Sequence, residues 1–391
     1  MMTKADVIVI GAGIVGNATA YYLAKKGKKV IVLEASDYIG NGGSSRNGGG
    51  VRQSGRDPKE LPLMKWGVQN IWPTLSEELG VDTEYTQEGN LRLGKNDQHK
   101  AILQKLADGA NACGVEVKMI DAAEVKKINP YLSDEVTCAS WCPTDGHANP
   151  LTTTLGYYKN ARELGADFIT GAPVSRIVTK AGKITGVEAG EGDEKTFFEA
   201  ETVVVAAGYE SNAILETVGI TIPMHKRAVT CLVTEAEPQM FRQMLGTAMA
   251  DFYGHQTKHG SFVMGGTDGF DECPAHIDDS YPLVGSSMIS ATSRGILGYF
   301  PMLENAKIVR AWGGYVDFCV DGCATVSKVD EVPGLYVECS FTGHGFGIGP
   351  AAAYNIAELI CTGSCPADIS PLRYDRFRPA KQGDKKNLQL K

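Results

Sequence analysis

The chain has 391 residues, a formal net charge of −8 and 43% hydrophobic residues, enough for one large globular domain or two ordinary ones. The acidic balance argues against nucleic-acid or anionic-membrane partners, and no apolar run approaches the ~20 residues of a membrane span. With the first strand beginning within a few residues of the N-terminus, the expectation is a cytoplasmic protein without a signal peptide.

Residues 7–16 read Val-Ile-Val-Ile-Gly-Ala-Gly-Ile-Val-Gly, an apolar strand running straight into a glycine turn. A helical run from Val15 to Lys26 follows. Gly11 permits the tight turn, Gly13 lets backbone approach a pyrophosphate, and Gly16 lets helix pack on strand. Ile14 and Val15 open the helix, whose unpaired N–H groups and positive dipole end suit a phosphate. A second strand, Lys29 to Leu33, ends on Glu34 and Ala35, where a carboxylate can accept from a ribose hydroxyl. Together these parts predict a dinucleotide site. Residues 41–52 then read Asn-Gly-Gly-Ser-Ser-Arg-Asn-Gly-Gly-Gly-Val-Arg. Gly43, Asn47, Gly48, Gly49, Gly50 and Val51 are expected to wrap an extended cofactor, with Ser44, Ser45 and Arg46 as donors.

Further along, a helix is expected over Leu151 to Leu164, then a strand near Asp167–Gly171. A hairpin joins Val174–Thr179 to Ile184–Ala189 through Lys180–Lys183. Period-two alternation marks Ala228–Thr234, Ser261–Met264 and Ile308–Trp312 as strands of an antiparallel sheet. His255–Gly260 reads as a hairpin turn between Asp251–Gly254 and Ser261–Gly265. Arg373–Pro379 reads as a surface tail. The ten cysteines include three pairs spaced by four, Cys138/Cys142, Cys319/Cys323 and Cys361/Cys365, but no C-x-x-C cluster. They are expected to be reduced, mostly buried thiols with no metal site.

Four motifs in order, the glycine-rich loop at 41–52, Thr202–Gly208, Pro333–Val337 and Phe341–Pro350, resemble the FAD-dependent amine oxidoreductases of the D-amino-acid oxidase, glycine oxidase and sarcosine oxidase family. The resemblance implies an α/β (mixed α+β) fold, with a Rossmann-like FAD-binding domain and a discontinuous antiparallel-sheet substrate domain. The expected FAD-binding segments are 1–84, 145–219 and 326–391, and the expected substrate segments are 85–144 and 220–325. It also implies cofactor contacts at Val174, at Ala206, Ala207 and Gly208, at Gly314, and along Gly343, His344, Gly345, Phe346, Gly347 and Ile348.

A carboxylate substrate needs an arginine. At the position where amino-acid oxidases of the family carry it, this chain has Val316. Arg52 is the replacement candidate and Arg310 the second. His344 reads either as a substrate contact or as a packing residue, and Tyr253, His255 and Tyr315 are candidates for the pocket wall. At the position where monomeric sarcosine oxidases tether FAD through cysteine the chain has Gly314, with Cys319 five residues on, so FAD is expected to be non-covalent. The position matching a histidine that tethers FMN in heteromeric sarcosine oxidases, counted from Thr234-Glu235, is Arg227, with His225 nearby. That leaves bound FMN at a subunit interface open. The resemblance is strongest to FAD-carrying subunits of heteromeric proline, hydroxyproline, opine, sarcosine and glycine-cyanide dehydrogenases. It implies oxidation of the C–N bond of a small amino or imino acid or secondary amine, with electrons passed to a partner subunit carrying FMN or an iron–sulfur centre. Two rivals stand beside it: a 2-hydroxy acid or polyol-phosphate dehydrogenase on the same fold, and a flavin-binding electron-transfer or structural subunit with no substrate of its own.

Overall fold

The computed structural model describes residues 3–192, 194–250, 252–266 and 284–378. Asp251 of the expected hairpin and Pro379 of the expected tail lie outside them.

Val7–Ile10 and Val30–Leu33 are buried at every position, and Thr202–Val205 at all but the first. An apolar run without polar alternation suits a strand covered on both faces, and these pair in parallel, Val7 opposite both Val30 and Thr202. The six-stranded sheet runs Thr325–Lys328, Leu335–Cys339, Thr202–Val205, Val7–Ile10, Val30–Leu33, Asp167–Ile169. Its one antiparallel member is the edge strand Thr325–Lys328. Val7, Val9, Val30 and Val32 pack beneath helices Ile14–Lys25, Pro150–Glu163 and Gly345–Thr362. Ile8, Ile10, Ile31 and Leu33 point the other way, onto a three-stranded antiparallel sheet of Thr196–Glu199, Lys183–Ala189 and Val174–Lys180.

A second, eight-stranded sheet runs Ile308–Cys319, Met224–Ala236, Ser261–Gly266, Tyr253–Gln256, Met244–Thr247, Asn90–Gly94, Cys138–Cys142, Lys118–Asp121. Its pairings are antiparallel except between Met244–Thr247 and Asn90–Gly94. Three of its strands come from residues 90–142, a stretch in which the sequence alone singled out no strand. Its two longest strands pair from Met224 with Cys319 to Thr234 with Ile308.

Two expectations need correction. His255 and Gln256 are strand residues opposite Val263 and Phe262, so the turn is confined to 257–260, closed by Thr257 N–H donating to the Ser261 carbonyl. The tail is not loose. Tyr374 is buried, and Arg376 donates from Nε and Nη2 to both carboxylate oxygens of Asp321 and to the Cys323 carbonyl. All nine described cysteines are free thiols, six of them buried. Among the described residues no group of His, Cys, Asp and Glu could hold a metal, and no helix is long and apolar enough to cross a membrane.

Candidate active site

The two sheets enclose a cleft of about 1260 Å³, lined at one end by Glu34, along its middle by Gly13, Ile14 and Ser44, and at the other end by Arg52, Tyr253 and His344. Drug-sized ligands occupy pockets of ~300–1,000 Å³, so this volume suits a dinucleotide together with a small second molecule.

The nucleotide end follows from the glycine turn. Gly11 has φ +102°, and a Cβ there would overlap the Ala206 carbonyl. A Cβ on Gly16 would overlap the carbonyl oxygen of Gly11, so this glycine seats the helix on the turn itself more than on the strand. Ala12 N–H donates to Glu34 Oε2 (2.7 Å) and Ser36 N–H to Oε1 (2.8 Å), which fixes the carboxylate and leaves each oxygen a further lone pair. Ile14 N–H donates to Ser44 Oγ (2.8 Å), so the Ser44 hydroxyl proton is free to point at a phosphate.

The glycine-rich loop is laced to itself. Arg46 Nη1 donates to the carbonyls of Asn41 and Gly42, so this guanidinium, expected to serve pyrophosphate, clasps its own loop instead. Asn47 Nδ2 donates to the Ser44 carbonyl (2.8 Å), while its Oδ1 accepts from Gly49 N–H (2.9 Å). The loop is pinned to the long strand by Trp312 Nε1 donating to the Arg46 carbonyl (3.1 Å).

Of the expected cofactor residues, Gly11, Gly13, Ile14, Val15, Glu34, Ala35, Gly43, Ser44, Arg46, Asn47, Gly48, Gly49, Gly50, Val174, Ala206, Ala207, Gly208, Gly314, Gly343, His344, Gly345 and Phe346 line the cleft. Five do not. Gly16 is buried in the first turn of the helix, against the Gly11 carbonyl. Ser45 Oγ donates to the Gly42 carbonyl (3.3 Å), outside the wall. Val51 is fully buried on a strand pair with Gly146. Gly347 gives its carbonyl to Trp72 Nε1 (2.8 Å), and Ile348 is core.

The opposite end collects charge. Arg56 and Glu60 form a fully buried ion pair (2.9 Å), and Arg56 Nη1 also donates to His344 Nδ1 (2.7 Å). Since arginine can only donate, Nδ1 of His344 is unprotonated and the ring proton sits on Nε2. Burial, opposed by Glu60 and aided by Arg56 and Arg52, pushes His344 down to about 3, so the ring is a neutral donor. Arg52 lines the cleft, donates from Nη1 to the Ser54 carbonyl (2.9 Å) and is pushed down to about 9 by burial and then by Arg92 and Arg56. Tyr253 lines the wall with its hydroxyl 3.5 Å from Cys231 Sγ.

Two pocket candidates move. His255 is away from the cleft: it stacks on His147 at 3.9 Å between ring centroids, and burial holds both rings well below the ordinary histidine value. The Tyr315 ring packs edge-on against Tyr209 (5.5 Å) beneath Lys226 Nζ, on the strand face opposite that of Val316 and Gly314. It therefore contributes backbone to the wall more than a ring to a ligand. Arg310 is exposed over Trp312 and does not line the cleft. Sequence reasoning missed Arg92, Arg56 and Glu60. The trace of Arg56 and Glu60 is their i,i+4 spacing just before a helix, and that of Arg92 a single arginine inside Asn-Leu-Arg-Leu-Gly.

A family model described as FAD dependent oxidoreductase matches residues 6–359. This chain belongs to that family. The oxidoreductase is 28% identical over 370 residues to sarcosine oxidase subunit beta of Rhodobacter capsulatus, covering 92% of this chain and 86% of the relative. It is 25% identical to glycine oxidase of Bacillus licheniformis, covering 92% and 94%. Among solved structures, L-proline dehydrogenase from P. horikoshii superposes with a TM-score of 0.86 at 29% identity, covering 96% of this chain and 98% of that one. The cradle fits FAD: glycines stand where a Cβ would collide, Glu34 is held at one end, and the N-terminus of Gly345–Thr362 opens onto the other.

Proposed function

We propose that this oxidoreductase oxidises the C–N bond of a small amino or imino acid or secondary amine, with the substrate carboxylate held by Arg52. The observation that carries this is the Arg52 guanidinium itself. It faces the cleft beside Tyr253 and His344 with a backbone carbonyl as its hydrogen-bond partner and no carboxylate within ion-pair distance among the described residues. A desolvated guanidinium in that position favours a planar anion that it can grip with two N–H groups. Relatives named for sarcosine, glycine and L-proline oxidation support the same substrate class.

FAD, when bound, supplies the two-electron acceptor that takes hydride from the carbon as the C–N single bond becomes C=N. The chain's own residues do the rest. Arg52 orients the substrate by its carboxylate, His344 offers an Nε2–H donor, and the apolar Val316 and Phe346 restrict water. The start of Gly345–Thr362 presents N–H groups and a positive dipole end to negative charge.

In this reading residues 1–84, 145–219 and 326–391 form the FAD-binding domain, which also lends Arg52 and His344 to the substrate, and 85–144 and 220–325 form the substrate-binding domain. FAD is non-covalent: a Cβ on Gly314 would stand 2.9 Å from Arg46 Cβ, and Cys319 is buried with Sγ donating to the Pro223 carbonyl. Electrons leave to a partner subunit carrying FMN or an iron–sulfur centre. Support comes from the subunit beta relatives and from a platform of His225, Phe318 and Arg227 at the cleft's outer rim, with His225 5.3 Å from Phe318. A cytoplasmic setting belongs to the same reading, supported by the free thiols.

Anaerobic mixing of the FAD-loaded protein with amines and 2-hydroxy acids tests it. Bleaching of the flavin by amines is expected. Bleaching by hydroxy acids alone transfers the fold to the hydroxy acid class, and bleaching by neither makes the chain an electron-transfer or structural subunit. Substrate turnover with a dye should also far exceed turnover with oxygen; fast stoichiometric peroxide formation by the isolated chain rules out the partner.

A further inference from the structure

Arg92 stands in the middle of strand Asn90–Gly94, opposite Gly246 on one side and Ser140 on the other. One glycine clears its path to the cleft: a Cβ on Gly55 would overlap Arg92 Nη1. The guanidinium therefore lies flat against the backbone at Gly55, while that of Arg52 bonds the carbonyl of the preceding Ser54. Two cationic groups thus flank one stretch of backbone at the same end of the cleft.

Arg92 is only partly satisfied. Nη2 donates to the Thr247 carbonyl (3.1 Å), and the buried Nε has no partner. Burial lowers its proton affinity as it does that of Arg52. The acids nearby are engaged: Glu60 pairs with Arg56, and Asp145 accepts from Gln53 N–H, Ser54 N–H and Ser54 Oγ. Three arginines against two carboxylates leave the cluster with one net positive charge. A monocarboxylic amino acid is a zwitterion with net charge zero, whereas a dicarboxylic one carries −1 and restores balance. Uncompensated charge in a desolvated site is costly, so the difference favours the second ligand.

We propose that Arg52 and Arg92 each hold one carboxylate, and that the preferred substrate is a dicarboxylic amine. The substrate part rests on the amine-oxidation reading; the anion clamp does not.

The test compares iminodiacetate and N-carboxymethyl-L-alanine with sarcosine and L-proline as reductants of the FAD-loaded protein, in wild type and Arg92→Gln. The wild type should bind the dicarboxylates at least ~10-fold more tightly, and Arg92→Gln should shrink that ratio by ~10-fold or more, because a charge-assisted pair is lost. Equal affinities in the wild type, or a ratio that Arg92→Gln leaves intact, overturn the proposal. If the glutamine variant fails to fold, Arg92→Lys must reduce the ratio in the same direction, and an unchanged ratio overturns it. Should no amine bleach the flavin, the oxidation reading fails and the clamp is judged by binding alone. Malonate and succinate should then raise the melting temperature of the wild type more than acetate does, and an equal response overturns the clamp as well.

Discussion

Glu34 does two jobs with one carboxylate. It ties Ala12 and Ser36 by their N–H groups and keeps a lone pair on each oxygen for the cofactor. Glu34→Ala should therefore loosen the turn as well as remove the ribose contacts, each charge-assisted bond being worth about 1.5–3 kcal/mol. The expected result is loss of most FAD on gel filtration at dilution, and a full flavin complement there counts against the assignment. Arg52→Lys isolates a different contact. Lysine keeps the charge but not the planar fork, so KM for the carboxylate substrate should rise ~10-fold or more with flavin content unchanged. Loss of flavin with normal KM in the remaining holoenzyme would move Arg52 to the cofactor shell.

At the scale of elements, the helix Ile14–Lys25 is seated by contact between Gly16 and the Gly11 carbonyl. Gly16→Ala forces either the helix or the turn to shift, at a cost of about 1–3 kcal/mol typical of overpacking. Apo-protein melting temperature should fall and FAD affinity with it; a variant that melts and loads FAD like the wild type shows that the seating is softer than the geometry says. This half of the molecule was legible because its signals are local. Val7–Ile10, the three glycines and Glu34 lie within 28 residues, and each constrains its neighbours. The other half was not, because its wall is made by pairing across the chain. Arg92 faces the cleft only because its strand lies between Met244–Thr247 and Cys138–Cys142; in sequence it is one arginine between two leucines, as on any half-exposed strand. His255 misled for the converse reason. Near Lys258, His259 and Gly260 it looks like turn, but the hairpin closes two residues later and leaves the ring stacked on His147.

At the scale of the molecule, one buried carboxyl sets a pH dependence. Glu338, on the central sheet next to the cleft, is 1% exposed and accepts from Thr19 Oγ1 (2.6 Å), and burial pushes it up to about 8. A folded-state value above the unfolded one means that the folded protein binds this proton more tightly. The stabilisation is complete below about pH 4.5, declines as pH rises, and is gone above about pH 8. Glu338→Gln keeps the shape without the proton, so its melting temperature should change less than that of the wild type between pH 5 and ~9. Parallel curves for the two proteins refute a neutral Glu338.

The same Thr19–Glu338 bond joins residues 319 positions apart, Glu60 Oε1 accepts from Ala324 N–H across 264, and Trp72 Nε1 reaches Gly347 across 275. Each ties an early segment to a late one around the cleft. On the ribosome, the glycine turn and Glu34 emerge first, yet Thr202–Val205 and Leu335–Cys339, the parallel neighbours that complete the sheet, are made much later. Chains rich in such distant pairings close slowly. The phosphate cradle is translated first, while the strands that flank it come late, so cofactor loading is expected to follow completion of the chain. Full-length protein assembled around an empty cleft should then accept FAD added afterwards.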